Sequence, residues 1–129
     1  MPSDTSPADG EHRTLFNDGS LNGIEHFVSG VKSGSCKYWY KNGQKKAEGQ
    51  FTDGVFSGDW VWWRENGELL QKGSFVAGEQ HGFWQRWHDN GELMDKGSWV
   101  HGKRAGEWKH YGKDGALRKT DQHPDRSSS

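Results

Sequence analysis

Glycine recurs along this 129-residue chain on a ruler of 24 residues, at Gly10, Gly34, Gly58, Gly82 and Gly106. A second glycine follows each of them by nine residues, at Gly19, Gly43, Gly67, Gly91 and Gly115. Others fall twenty residues after the unit glycine (Gly30, Gly54, Gly78, Gly102) or fifteen after it (Gly49, Gly73, Gly97), which puts seventeen of nineteen glycines in register. The large rings obey the same ruler. Trp60, Trp84 and Trp108 stand two residues after the unit glycine, Trp39, Trp63, Trp87 and Tyr111 five after it, and Phe27, Phe51, Phe75 and Trp99 seventeen after it. A period of this length means one supersecondary unit stacked on copies of itself.

Turn chemistry identifies the unit. Asn42-Gly43, Asn66-Gly67 and Asn90-Gly91, with Asp18-Gly19 and Asp114-Gly115 at the ends, are strong hairpin signals because both residue types tolerate positive φ. Each unit therefore reads as a β-hairpin, with Trp60 to Arg64 as one arm of the third unit and Glu68 to Val76 as the other. A looser turn through Gly78 is expected to lead to the next hairpin. The fold expected is all-β: an elongated, twisted, single-layer antiparallel meander of about five hairpin repeats and about ten strands. The repeat domain spans 10–119, between a flexible tail at 1–9 and a disordered tail at 120–129.

A hydrophobic fraction of 29% and a mean hydropathy of −1.12 would by themselves indicate a very thin core. Eight Trp, six Phe and three Tyr reverse that, since each buried ring removes about 150–250 Å² from water. The core is built from few, large pieces. A net charge of −1 offers no field to recruit nucleic acid or an anionic membrane. The single Cys36 excludes an internal disulfide and a cysteine-rich zinc site, and makes cytoplasm the default location. No signal sequence or membrane span is expected from the absence of any run of about 18 apolar residues.

Residues 72–84, KGSFVAGEQHGFW, resemble the MORN-repeat signature G-x-[FY]-x-x-G-x-x-H-G-x-x, and the segments from Gly97 to Trp108 and from Gly49 to Trp60 share its spacing. The Trp-x-x-Trp/Tyr-x-x-Asn-Gly arm is similar to the bacterial MORN-variant repeat, whose members are often labelled antitoxin components of toxin-antitoxin systems. The resemblance covers 10–119. It implies a protein-binding or oligomerising scaffold, sometimes with lipid contacts, and brings no catalytic motif. The chain departs from the pattern at its ends: His12, Leu15 and Glu25 replace Trp, Trp and Gly in the first unit, and the last arm loses the pattern after Lys119. Cys36 stands where Trp belongs, which is expected to weaken the second unit's packing.

Parity decides which surface is open. With a two-residue type I′ turn at Asn-Gly, Trp60 lies opposite Gly73 and shares a face with Leu69 and Phe75, while Trp39, Trp63, Trp87 and Tyr111 form a stripe on the other face, opposed by Lys46, Leu70, Met94 and Arg118. This stripe is the candidate contact surface, and Gly43, Gly67, Gly91 and Gly115 are the structural turn glycines. With a three-residue loop and a G1 bulge, parity shifts by one and Trp60, Trp84 and Trp108 become the outward row. Repeated rings can also serve only as packing between neighbouring units.

No chemistry-bearing constellation accompanies the repeat. His81, His88, His101 and His110 lack a repeated ligand spacing and read as structural or surface residues. The carboxylates fall mostly in turns or on strand surfaces, and no phosphate-cradling or nucleophile motif is present. No enzyme activity, metal or cofactor is expected. Basic residues are interspersed with acids, so no nucleic-acid channel is visible. The expectation is a non-enzymatic protein-protein interaction module, of antitoxin or immunity type, whose partner is a toxin or effector. An aromatic-stripe site for a carbohydrate or quaternary amine, or a peripheral lipid-binding role, is the alternative, although the charge balance gives no strong membrane signal. Open sheet edges also permit self-association.

Overall fold

The computed structural model describes residues 9–126. They form β1 (Gly10–Leu15), β2 (Leu21–Val28), β3 (Val31–Lys32), β4 (Gly34–Trp39), β5 (Lys45–Thr52), β6 (Val55–Trp63), β7 (Leu69–Val76), β8 (Glu79–Trp87), β9 (Leu93–Val100), β10 (Lys103–Tyr111) and β11 (Leu117–His123). All belong to one open antiparallel sheet in which each strand pairs with the next in sequence, β3 being a short spur on β2. The meander follows from the sequence, since every connection is too short for anything but a hairpin.

At Asn-Gly the second of the two expected geometries is present, and the turn through Gly78 is the tighter of the two, not the looser. At Asn42-Gly43, Gly43 N–H donates to the Tyr40 carbonyl at 2.9 Å and Tyr40 N–H to the Gln44 carbonyl at 2.8 Å, which makes a three-residue loop. Gly43, Gly67, Gly91 and Gly115 have φ between +82° and +90°, and the Asn or Asp before each stays right-handed. That residue instead uses its side chain: Asn42, Asn66 and Asn90 Oδ1 accept the N–H two residues on, at 2.9, 2.9 and 3.0 Å. Such an Asx turn holds the loop without positive φ at the first position. The tight turns are the ones through Gly30, Gly54, Gly78 and Gly102. There Ser29, Asp53, Ala77 and His101 share the positive φ of the following glycine, and pairs such as Val76↔Glu79 close directly around two residues. This is type I′ geometry.

The loop is that of the second parity branch, but the pairing of Trp60 with Gly73 is that of the first. The three-residue loop sets Trp63 opposite Leu69, but the next pair is Trp62↔Gln71, so Leu70 is an extra residue that shifts the register back. Asn22, Lys46, Met94 and Arg118 do the same in the other hairpins. Trp60 therefore still faces Gly73 in register, and the expected outward row of Trp60, Trp84 and Trp108 is instead the most buried set of rings, at 2%, 3% and 2% exposure.

The unit glycine explains how. Glu48 pairs with Val61 and Gln50 with Ser57, leaving Gly58, Asp59 and Trp60 opposite Gly49 alone. Gly58 takes φ +63° at this bulge, which re-aims the strand, and the Trp60 ring folds over Gly49. A Cβ there would lie 2.1 Å from Trp60 Cδ2, and the same holds for Gly73 under Trp84 (2.0 Å) and Gly97 under Trp108 (2.2 Å). Each ring thus covers the glycine of the preceding unit rather than its register partner. The indole N–H groups of Trp60, Trp84 and Trp108 donate to the carbonyls of Gln50, Ser74 and Ser98 at 3.1, 3.1 and 3.0 Å, so the buried rings leave no polar atom unpaired.

Glu25 explains Cys36. The chain from Ser33 to Cys36 passes opposite Glu25, where later units have glycine, and a Cβ at that place leaves no room for an indole. Cys36, 1% exposed, fits instead, and packs with Ala47 and Trp60 beside Tyr38, Phe51 and Trp62. Burial pushes its thiol up to about 11. Tyr38 donates its hydroxyl to Glu25, which also meets Lys32 at 2.9 Å. The second unit is repacked around a smaller side chain.

The last arm extends past the expected boundary at Lys119. β11 pairs with β10 as far as Gly106↔His123, Gly106 N–H donates to the Pro124 carbonyl at 3.2 Å, and Arg126 Nε donates to the Arg104 carbonyl at 2.8 Å. Gly54, Gly78 and Gly102 N–H make the equivalent bond in earlier units, so a side chain completes a backbone ladder here. The rest of the expected C-terminal tail, 127–129, and residues 1–8 of the N-terminal one lie outside the described residues. Asp9, also assigned to that tail, accepts the Ser29 N–H at 2.7 Å.

Candidate functional site

One face of the sheet, the inner face, carries the buried tryptophans. A row across it runs through successive register pairs Tyr38, Ala47, Trp62, Gln71, Arg86, Asp95 and His110. Its first half is aromatic and its second half is charged. Because the sheet is a single layer, no second element among the described residues covers either half.

In the aromatic half, Phe56 stacks on Phe51 and Phe75 with centroids at 5.2 and 4.9 Å, and Trp62 stacks on Trp60 and Trp84 at 5.5 and 5.8 Å. Phe51, Phe56, Trp60 and Trp62, with Tyr38 and Phe16, line an open groove of about 370 Å³ to which Lys32 and Lys46 also contribute. Phe56 is 39% exposed there. The size is that of a site for a few apolar side chains or a small molecule.

In the charged half, Asp95 is 1% exposed and accepts Arg86 Nε at both oxygens, 3.0 and 3.2 Å. A paired arrangement of this kind is what a buried carboxylate requires. The hydrogen bonds to Asp95 hold the Arg86 guanidinium above its ordinary pKa. His110 Nδ1 lies 3.8 Å from Asp95 and its Nε2 3.1 Å from Asp121. Burial pushes the Asp121 carboxyl up, but Lys119 and His110 outweigh it and the net shift is downward. The sequence reads His110 as a structural or surface residue and gives Asp95 no role. The available signal was phase: Ala47, Gln71 and Asp95 occupy one unit position, as do Trp62, Arg86 and His110, and only the later members carry charge.

Strand alternation after Trp62 and Arg86 sets Trp63 and Trp87 of the candidate stripe on the other face. Trp39, Trp63, Trp87 and Tyr111 are half-buried, and successive members stand two strands apart, roughly 10 Å. They face Lys45, Leu69, Leu93 and Leu117 in register, not the expected Lys46, Leu70, Met94 and Arg118, because each of those is the extra residue of a bulge. The Lys45 ammonium lies 5.6 Å over the Trp63 ring. Trp39 also borders the aromatic groove. A ladder unseen in the sequence ties the stripe together: Tyr40 Oη, Arg64 Nη2 and His88 Nε2 meet the carbonyls of Trp63, Trp87 and Tyr111 in the next unit at 2.7, 3.0 and 2.8 Å. Among the described residues no group of three or more His, Cys, Asp or Glu side chains could hold a metal ion, and no helix is long and apolar enough to cross a membrane.

The family model described as "MORN repeat variant" matches residues 32–53 and 56–77. These two segments are MORN-variant repeats. They correspond to the hairpins β4–β5 and β6–β7, and the remaining hairpins keep the same glycine phase. MORN repeats are generally non-catalytic modules that bind proteins or membrane lipids. No curated protein matches the chain. A solved structure described as "Crystal structure of GtfA/B complex bound to UDP and GlcNAc" is similar at 11% identity with a TM-score of 0.34, over 95% of this chain. The chain spans 25% of that chain's length.

Proposed function

We propose that this MORN-repeat chain is a protein-binding module that seats an apolar anchor of its partner in the groove around Phe56 and Trp62. The observation that carries this is the exposed, ring-lined groove of about 370 Å³ on a face that no second layer among the described residues covers. Rings held rigid by their neighbours lose little entropy on binding, and desolvated aromatic pockets are where interface energy concentrates. Lys46, which also lines the groove, favours a partner with a carboxylate beside its anchor, Lys32 being engaged by Glu25. A toxin or effector, with this chain as its antitoxin or immunity partner, is the specific form of the reading that the family resemblance supplies.

Affinity capture from the native host tests it. The full chain is expected to recover one stoichiometric protein partner, and Phe56→Ser is expected to lose it. Trp63→Ala and Trp87→Ala separate this face from the opposite stripe: loss of capture in those variants and not in Phe56→Ser would move the contact to the stripe. Absence of any stoichiometric protein would defeat the reading. Relief of a captured toxin's growth arrest on co-expression tests the antitoxin form. Lys45 already lies over the Trp63 ring, which favours protein contact over capture of a quaternary amine at the stripe.

A further inference from the structure

The inner face changes character along the repeat in a way that packing does not require. Four residues share one unit position, Lys32, Phe56, Gln80 and Arg104, and from the second of them onward they run from apolar to cationic, while Trp62, Arg86 and His110 run from apolar to polar. A merely structural repeat would keep the apolar member, as Trp60, Trp84 and Trp108 do. Where the aromatic groove ends, at Trp62, its register partner Gln71 begins a second pocket of about 120 Å³, shared with Gln80, Arg86, Trp99 and Arg104. The two sites are neighbours: Trp62 of the first stacks on Trp84 of the second at 5.8 Å.

In the second pocket the cation available to a ligand is Arg104. Its guanidinium carbon sits 4.3 Å from the Trp108 ring centroid and 5.6 Å from that of Trp99. No ion pair to Arg104 is present among the described residues, whereas Arg86 is engaged by Asp95. Arg86 and Asp95 cancel, so the pocket carries one net positive charge from Arg104. A planar guanidinium fixed on aromatic faces, with the carboxamides of Gln71 and Gln80 beside it, matches a carboxylate in shape and charge.

We propose that this pocket is a carboxylate site, and that it reads an Asp or Glu side chain on the same partner segment whose apolar anchor enters the aromatic groove. The inference rests on the reading under Proposed function and adds the acidic requirement and its spacing. Phe56 on β6 and Arg104 on β10 hold the same unit position four strands apart, roughly 19 Å, or about six residues of an extended peptide lying across the sheet.

The test is selection of a random twelve-residue peptide library on the full chain. Wild type is expected to enrich peptides with an aromatic or branched apolar residue and an acid about six positions apart. Arg104→Met keeps an aliphatic stem over Trp108, and is expected to lose the acidic preference and weaken the selected peptides about tenfold, while an unchanged thermal midpoint and tryptophan emission confirm the fold. Arg104→Lys, which keeps the charge and loses the planar fork, is expected to fall between. Enrichment of apolar peptides with no acid would overturn the carboxylate site and leave the groove reading intact. No enrichment at all would overturn both. Co-sedimentation with phosphatidylserine vesicles, lost in Arg104→Met, without any peptide selected, would assign the two sites to an anionic lipid and overturn the proposal.

Discussion

The smallest residue carries the greatest constraint. Gly49, Gly73 and Gly97 are needed because an indole lies where their Cβ would be, at 2.0 to 2.2 Å. Gly73→Ala is therefore expected to destabilise by about 1–3 kcal/mol, the usual cost of overpacking, since the Trp84 ring would have to leave its seat on Gly73. A thermal or denaturant midpoint checks it, and an unchanged midpoint would mean the ring can move. Cys36 makes a second prediction. Its folded pKa, about 11, stands above the ordinary value of 9.0, so its contribution is full below about pH 9 and is lost as pH rises toward 11. The size is roughly 2–3 kcal/mol. In native protein at pH 8 the thiol is expected to resist a disulfide reagent and to react at once on unfolding; fast reaction of the native form would show that Cys36 is reached from solvent.

At the scale of the hairpin, two turns divide the work differently from what dipeptides imply. Asn-Gly makes the three-residue loop because the Asn side chain caps it, and the type I′ turn falls on pairs such as Ala77-Gly78. Ala77 has φ +51°, a conformation that costs a Cβ-bearing residue about 1–2 kcal/mol. Ala77→Gly is expected to raise stability by a few tenths to about 1 kcal/mol, the gain being reduced by the freer unfolded chain. Denaturant titration measures this, and a loss of stability would mean that the turn is not strained at Ala77. Hairpin existence and meander order were legible in the sequence because turns and rings repeat. The turn type was not, because Asn tolerates both conformations and only its hydrogen bond to residue i+2 selects one.

For the whole molecule, each hairpin touches only its neighbours, so stability should be distributed along the sheet. The buried rings concentrate at Trp60, Trp84 and Trp108, while β1 is mostly exposed and β11 brings no tryptophan. Amide exchange is expected to be slowest in β6 to β9 and fastest in β1 and β11. Uniform protection across all strands would instead mean that the sheet opens only as a unit. The same gradient bears on binding: the groove beside Trp60 lies in the stable middle, where a preformed site needs no ordering.

The sequence by itself determined the period, the all-β class, the hairpins and the identity of the large rings, because each depends on local chemistry repeated at fixed spacing. Only the tertiary structure decided which tryptophans are inside. Two compensating shifts, the three-residue loop and the extra residue at Leu70 and its equivalents, cancel in register, and a bulge at the unit glycine then aims Trp60 backward over Gly49. Side-chain facing in a sheet turns on single residues, so a count of positions cannot fix it. The charged half of the inner face emerged for the same reason: Arg86, Asp95 and His110 lie on three different strands and meet only through the register.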